Sequence, residues 1–403
     1  MATTPTRRSF LSGASLVLPD RVVSGQTLVL EDSRIVDLIS GPREAGPNEV
    51  RINLDSHFVV PGFIDAHVHG VHGTDVLAGA RAVQMVAERL PRWGVTGFCP
   101  TSVACPPDVL DRFLREVAEL RQTATAGAPR SRVLPAHLES NFINPEYRGA
   151  QPLRWLRTPV ESDSTDFTAR DVLNVIERHR ADIATVTLAP EIPGGLDLTR
   201  ALVATGVRVS LGHSGATFEE AQEAIGSGAR QATHLFNRMR PMTHRDPGLV
   251  GAALASEDLA VEIICDGHHV HPAVMRFAIA AKGPSRTLAI TDGTAGSGLP
   301  SGDKARLGGQ PITVSEVARL DDGTMAGSVL TMDRVFSTLV TKCGLDLVQA
   351  AEMCATTPAR ELGLVGYGVV APGATADFTV LDSRLRVAQT WIGGVKVWEK
   401  PNG

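Results

Sequence analysis

Between residues 63 and 294 the chain presents eight short apolar runs, each closing on polar residues and giving way to a loop. They read FIDAHVH, VTGFCPT, VLPAHLE, ATVTLAPE, VRVSLGHS, RQATHLFN, AVEIICDGHH and TLAITDGT. Segments with helical texture lie between many of them, at 79–92, 108–121, 168–180, 217–226 and 272–282. Parallel strands need a crossover, usually a helix, to return the chain to the same end of the sheet. Strand–helix alternation of this length argues for a parallel α/β barrel. A doubly wound sheet is the alternative. The two differ in where polar residues fall, because barrel sites gather at the C-terminal ends of the strands.

The polar residues fall at those ends. In an extended strand, side chains at i and i+2 point the same way, so in FIDAHVHG the residues His67 and His69 share a face, with Asp65 on it too. The third run ends in Glu139, the fifth in His213, the sixth in His234 and the eighth in Asp292. A single histidine in such a place is more often structural than a ligand. Four histidines and two carboxylates from five strand ends surround one point only in a barrel, and imidazole with carboxylate suits zinc and its neighbours. The expected fold is therefore a TIM-like (β/α)8 metallo-barrel.

The chain has 403 residues, more than the roughly 250 of a single barrel. The surplus lies at the ends. Residues 14–58 and the segments GVVAPGATADFTVLD and VAQTWIGGVKVW are rich in short β-type runs and turns. The two ends are expected to pair as one small β-sandwich domain, with two independent edge ribbons as the alternative. The division is then 1–58 and 364–403 for the sandwich and 59–363 for the barrel. A net charge of −5 gives no basic footprint for nucleic acid. The five cysteines form no CxxC pair, which favours a reduced, cytoplasmic compartment. No apolar run reaches the ~18 residues of a membrane span. Arg7-Arg8 has the look of an export signal, but the apolar stretch after it is broken by Ser12, Gly13 and Ser15 and stops at Pro19-Asp20, so the pair is read as chance.

Longer motifs add a resemblance. VVPGFIDAHVHG, LGHSGAT, THLFNRM, THRDPGLVG, DGHHVHP, ITDGTAGSGLP, AGSVLTMD and GATADFTVLD resemble the amidohydrolase superfamily, and within it the N-acetylglucosamine-6-phosphate deacetylases. Many amidohydrolases bridge two metals with a carboxylated lysine on the fourth barrel strand. The five lysines here (282, 304, 342, 396 and 400) all lie beyond that strand, so the bridging anion falls to Glu139, as the deacetylase subgroup implies.

The resemblance implies that Glu139, His213 and His234 hold one divalent ion of the zinc class. His67 and His69, with Glu139 shared and Asp292 nearby, can hold a second, giving one or two per subunit. His137, on the same strand face as Glu139, is expected to support the ligands from outside, and His72 is read as structural. Asp292 is the expected proton shuttle, with plain metal ligation as its alternative; TDGTAGSG places it before a flexible Gly-rich loop. The implied substrate is an amino sugar phosphate. Asn237, Arg238, Arg245 and His269 are expected to bind it, largely at its phosphate, and Ala150, Gln151 and Met325, Ala326 and Gly327 to contact the sugar. The matching arginine of relatives can come from an adjacent subunit, which implies a homodimer. The expected activity is release of acetate from N-acetylglucosamine 6-phosphate. The alternatives are a related N-acyl amino sugar phosphate, such as N-acetylgalactosamine 6-phosphate, and a catalytically inactive barrel. One departure is visible: where the family reads HLEGP after the third strand, this chain has HLESN, with Ser140 and Asn141.

Overall fold

The computed structural model describes residues 8–43, 46, 49–123, 128–160 and 166–401. All eight apolar runs supply a parallel strand: β1 (Phe63–Val68), β2 (Val95–Ser102), β3 (Ala136–Glu139), β4 (Ile183–Leu188), β5 (Arg208–Leu211), β6 (Gln231–Ala232), β7 (Ala260–Ile264) and β8 (Thr287–Ile290). Each pairs with the next in order. The ring closes just past β8. Val68 bridges Gly293, the Asp292 N–H donates to His67 O at 3.0 Å, and the His69 N–H donates to Gly293 O at 2.7 Å. Closure thus brings the end of β8 directly against the HxH segment.

The strands are buried on both faces, β1 and β2 along their whole length, as expected of parallel strands covered by helices. The covering helices are α1 (Ala82–Arg89), α2 (Pro107–Gln122), α3 (Ala169–Arg178), α4 (Gly195–Ala204), α5 (Phe218–Gly226), α6 (Gly248–Ala255), α7 (Pro272–Lys282) and α8 (Met332–Thr341). In α2 the buried residues Leu110, Phe113, Leu114, Val117 and Leu120 follow helical spacing, and Pro107 opens its first turn. Reciprocal side-chain caps start α3 (Thr168 with Asp171) and α5 (Thr217 with Glu220). Helices α4, α6 and α8 were not among the expected segments. Helix α6, GLVGAALA, is apolar almost throughout and largely buried, so it offers no amphipathic period to detect.

The two chain ends build the second domain together. One sheet runs Arg34–Ser40, Gln26–Glu31, Arg8–Ser12, Glu49–Asn53. The other runs Val395–Glu399, Val387–Ile392, Phe378–Leu381, Phe58–Pro61, Ser15–Val17, Val22–Val23. Antiparallel pairing of Phe58–Pro61 with Phe378–Leu381 joins the ends, and Leu11, Leu16, Leu28, Leu30, Val59, Phe378 and Trp391 share one apolar cluster. Arg8 therefore opens a paired strand, whereas Arg7 lies outside the described residues. Arg132 anchors this domain to the barrel by donating to both Asp377 oxygens, at 2.7 and 3.0 Å.

A three-stranded antiparallel sheet, Lys304–Leu307, Gln310–Val314 and Ala318–Arg319, follows β8 and was not anticipated. The Gly-rich segment before it is not a free loop. Thr291, Thr294 and Ser297 are buried, the His72 N–H donates to Ser297 O, the Gly73 N–H donates to Ala295 O, and the Thr294 N–H donates to Ser328 O. Among the described residues no helix is long and apolar enough to cross a membrane, and all five cysteines are free and buried.

Candidate metal centre

The strand ends bring six groups together. Glu139 Oε1 lies 2.9 Å from His213 Nε2 and 2.9 Å from His234 Nε2, and those two ring nitrogens are 3.1 Å apart. On the other side, His67 Nε2 and His69 Nε2 are 3.3 Å apart. Asp292 Oδ1 stands 3.4 Å from the first and 3.1 Å from the second. Glu139 Oε2 is 3.5 Å from His69 Nε2, so this carboxylate lies between the two histidine pairs. All six residues are buried.

The rings are turned so that their Nε2 atoms face inward. His67 Nδ1 meets Glu262 Oε2 at 3.0 Å, His69 Nδ1 meets Thr101 O at 3.0 Å and His213 Nδ1 meets Tyr147 O at 2.8 Å. Those partners are a carboxylate and two carbonyl oxygens, which only accept, so each Nδ1 carries the hydrogen. In the neutral rings Nε2 then offers a lone pair. Lone pairs on His67, His69 and His213 would face carboxylate oxygens and one another, a repulsive set unless a cation lies among them. The donor set therefore fits a divalent ion, and outer partners on Nδ1 are the usual means of orienting ligating imidazoles.

Electrostatics give the same sign. Burial opposes charge on His67, but Asp292, Glu262 and Glu139 outweigh it and hold its pKa up to about 10. Burial pushes Glu139 up, yet His213, His234 and His67 carry its carboxyl well below the ordinary range. Asp292 is likewise pushed up by burial and drawn below its usual value by His67 and His69. A site that draws a proton this strongly also favours a metal cation in its place.

Backbone strain is concentrated here. His213 (φ 48°), His234 (φ 32°), Arg238 (φ 51°) and Asp292 (φ 47°) all hold left-handed conformations and all line one cavity. A non-glycine residue at positive φ is uncommon, though Asp and His tolerate it better than most. His213, His234 and Asp292 each lie two residues beyond the end of a strand, β5, β6 and β8 respectively. Gly327 lies against Asp292. Its φ is +69°, and a Cβ there would come within 2.9 Å of the Asp292 carbonyl oxygen.

Ala150, Gln151, Asn237, Arg238, His269, Met325 and Gly327 line the same cavity. His269 Nδ1 is 2.6 Å from Asp266 Oδ2; burial lowers its basicity, but that carboxylate more than compensates and raises it. Asn237 donates to the His234 and Leu235 carbonyls at 3.2 and 3.3 Å. Ala326 is buried beside the lining, its N–H donating to Ala318 O. Arg245 is not among the cavity-lining residues and is exposed on the turn that Arg240 and Asp246 brace. Asp65 does not join the histidines. Its carboxylate accepts from Thr291 Oγ1 at 2.6 Å and lines a separate recess with Leu90, Trp93 and Met332. The register between β1 and β2 shifts twice along this stretch, so the simple i, i+2 pattern fails there. His137 Nε2 meets Thr187 Oγ1 at 2.7 Å, behind the cluster.

Sequence reasoning missed Glu262, Gly149 and Leu307. Glu262 is fully buried; besides His67 it accepts from Gln231 Nε2 at 2.7 Å and from the His234 N–H at 3.3 Å. Its only signal was a carboxylate inside the apolar run AVEIICD. Gly149 (φ +59°) lies under Arg238, where a Cβ would meet Nε at 2.7 Å. The Ser140-Asn141 departure has a local role. Ser140 Oγ donates to Thr187 O at 2.6 Å, and Asn141 Nδ2 donates to the Cys105 and Trp155 carbonyls at 2.9 and 2.7 Å. Side-chain bonds thus fix the turn after Glu139.

Five strand ends of the eight-stranded barrel supply a cluster that could hold a metal ion, and the comparisons place the fold and the site in a known family. The amidohydrolase family model matches residues 58–397, and the chain belongs to that family. N-acetylglucosamine-6-phosphate deacetylase of Danio rerio is 35% identical over 371 residues, covering 89% of this chain and 88% of its own. N-acetylgalactosamine-6-phosphate deacetylase of Escherichia coli O157:H7 is 35% identical over 363 residues, covering 90% and 93%. Among solved structures, a mutant N-acetyl-D-glucosamine-6-phosphate deacetylase from Mycobacterium smegmatis, in complex with N-acetyl-D-glucosamine-6-phosphate, matches with a TM-score of 0.86 at 30% identity. It covers 98% of this chain and 100% of that one.

If Glu262 orients His67 and His234, Glu262→Gln should weaken zinc binding about 10- to 100-fold, the usual scale for outer-shell partners. Chelator competition on the purified variant measures this. Wild-type affinity in the variant would show that Glu262 is only a core group.

Proposed function

We propose that this chain hydrolyses the N-acetyl group of N-acetylglucosamine 6-phosphate, giving glucosamine 6-phosphate and acetate. The observation that carries the reading is the meeting of His67, His69, Glu139, His213, His234 and Asp292 in the cavity that Asn237, Arg238 and His269 also border. An inactive barrel has no reason to keep four inward imidazoles and two carboxylates together, three of them (His213, His234 and Asp292) at positive φ.

His213, His234 and Glu139 hold the first ion, and His67 and His69 are the candidates for a second; zinc is the proposed metal. When bound, such an ion lowers the pKa of water and acts as a Lewis acid on the acetyl carbonyl. Asp292 does the proton work. Held below its ordinary pKa despite burial, it is ionised at neutral pH, accepts the proton of the attacking water at Oδ1 and returns it to the departing sugar nitrogen. Thr101, Tyr147 and Glu262 keep the rings oriented through Nδ1.

His269, Asn237 and Arg238 bind the anionic end of the substrate, and Ala150, Gln151 and Met325–Gly327 contact the sugar. Arg245, exposed and outside this chain's own cavity, is assigned to the phosphate in the neighbouring site of a homodimer, since a guanidinium fork suits phosphate oxygens. Residues 59–363 are assigned to the catalytic unit and 1–58 with 364–403 to its supporting domain, the strand Phe58–Pro61 crossing that boundary to pair in the supporting sheet. The free, buried cysteines suit a cytoplasmic enzyme.

Acetate release tests the assignment. Asp292→Asn should lower kcat by about 10²–10⁴-fold, the range for general acid–base groups, with metal content largely retained. Near-normal turnover would remove Asp292 from its role. For Arg245→Ala, loss of a charge-assisted hydrogen bond should reduce kcat/KM for the 6-phosphate sugar by about 10- to 200-fold. Unphosphorylated N-acetylglucosamine should be barely affected. Equal losses on both sugars would make Arg245 structural.

A further inference from the structure

The two oxygens of Glu139 stand in different company. Oε1 lies 2.9 Å from both His213 Nε2 and His234 Nε2. Oε2 faces the other pair, 3.5 Å from His69 Nε2, and accepts a hydrogen bond from Gln151 Nε2. The direction of that amide is fixed at its other end, where the Ala104 main-chain N–H, able only to donate, lies 2.8 Å from Gln151 Oε1. Turning the amide over would set Oε1 against an ionised carboxylate and the –NH2 group against an N–H. Both bonds would be lost in a buried place.

The surrounding backbone is tied as well. The Gln151 N–H donates to Arg148 O at 2.9 Å, and Gln310 Nε2 donates to Ala150 O at 2.8 Å. Gln310 belongs to the unanticipated sheet after β8, so that sheet helps hold Gln151 against Glu139. Across the physiological range an amide has no protonation state in which its donor disappears.

We propose that Gln151 is a positioning residue that sets how many metal ions the site holds. By keeping Glu139 Oε2 hydrogen-bonded, it confines Glu139 to one ion beside His213 and His234 and opposes bridging to a second beside His67 and His69. The proposal rests on the metal-dependent reading above. An ion that shares Oε2 must displace a charge-assisted hydrogen bond, a handicap of about 10- to 200-fold in an equilibrium constant. An ion beside His67 and His69 then has only the Asp292 carboxylate, 3.4 and 3.1 Å from their Nε2 atoms, as an anionic partner free of that hydrogen bond.

The test is a zinc titration of metal-stripped protein, followed by calorimetry and by metal analysis after dialysis, in wild type and in Gln151→Leu, which keeps the bulk and removes the donor. Wild type should hold one zinc tightly and a second at least about 10-fold more weakly. Gln151→Leu should bind the first within about threefold of wild type and the second about 10-fold or more tighter. Two equally tight ions in wild type would overturn the proposal, as would unchanged second-ion affinity in the variant. If Gln151→Leu does not fold, Gln151→Met carries the same expectation. Because the readout is metal and not turnover, the two readings fail separately. A wild type with this zinc behaviour that releases no acetate from N-acetylglucosamine 6-phosphate removes the deacetylase reading and leaves this one standing.

Discussion

Inward-facing imidazole nitrogens and carboxylate oxygens, packed within hydrogen-bond distance of one another, repel unless a cation lies among them. The arrangement survives because each ring of His67, His69 and His213 is committed through Nδ1 to an oxygen that can only accept. Those oxygens come from β7, the end of β2 and the loop after β3. The cluster is therefore a property of the closed barrel and not of any one motif. Ring closure between β8 and β1, through Val68 and Gly293, then sets Asp292 against the HxH pair.

This arrangement costs conformational energy. Four residues bordering one cavity, His213, His234, Arg238 and Asp292, hold positive φ, on the order of 1–3 kcal/mol each where the region is sparsely populated. The surrounding structure offsets it through buried bonds. Glu262 ties β1, β6 and the His234 turn together, Ser140 and Asn141 fix the turn after Glu139, and Ser328 Oγ donates to Thr291 O at 2.6 Å beside Asp292.

The barrel was legible in the sequence because its strands are short, apolar and separated by loops that begin with polar residues. The same rule placed His67, His69, Glu139, His213, His234 and Asp292 at strand ends, where a barrel must bring them together. It misjudged Asp65, whose strand is irregular enough to turn that carboxylate toward Thr291. Glu262 was illegible for a different reason: a carboxylate within an apolar run gives no sign of the long-range partner that makes its burial tolerable. Helix α6 lacks an amphipathic period, and the Lys304–Arg319 sheet is an insertion whose turn, Gly308-Gly309, is common to many hairpins. The Gln151 amide was visible as a residue, but its bond to Glu139 depends on Ala104, 47 positions away.

The proposed function depends on a metal ion held by strand-end histidines and used to cleave an acetamide. The most direct measurement is acetate release from N-acetylglucosamine 6-phosphate by chelator-stripped protein, before and after zinc is returned. Turnover should be absent without metal and return with zinc, with a marked preference over the unphosphorylated sugar. Full activity in a verified metal-free preparation would contradict that dependence.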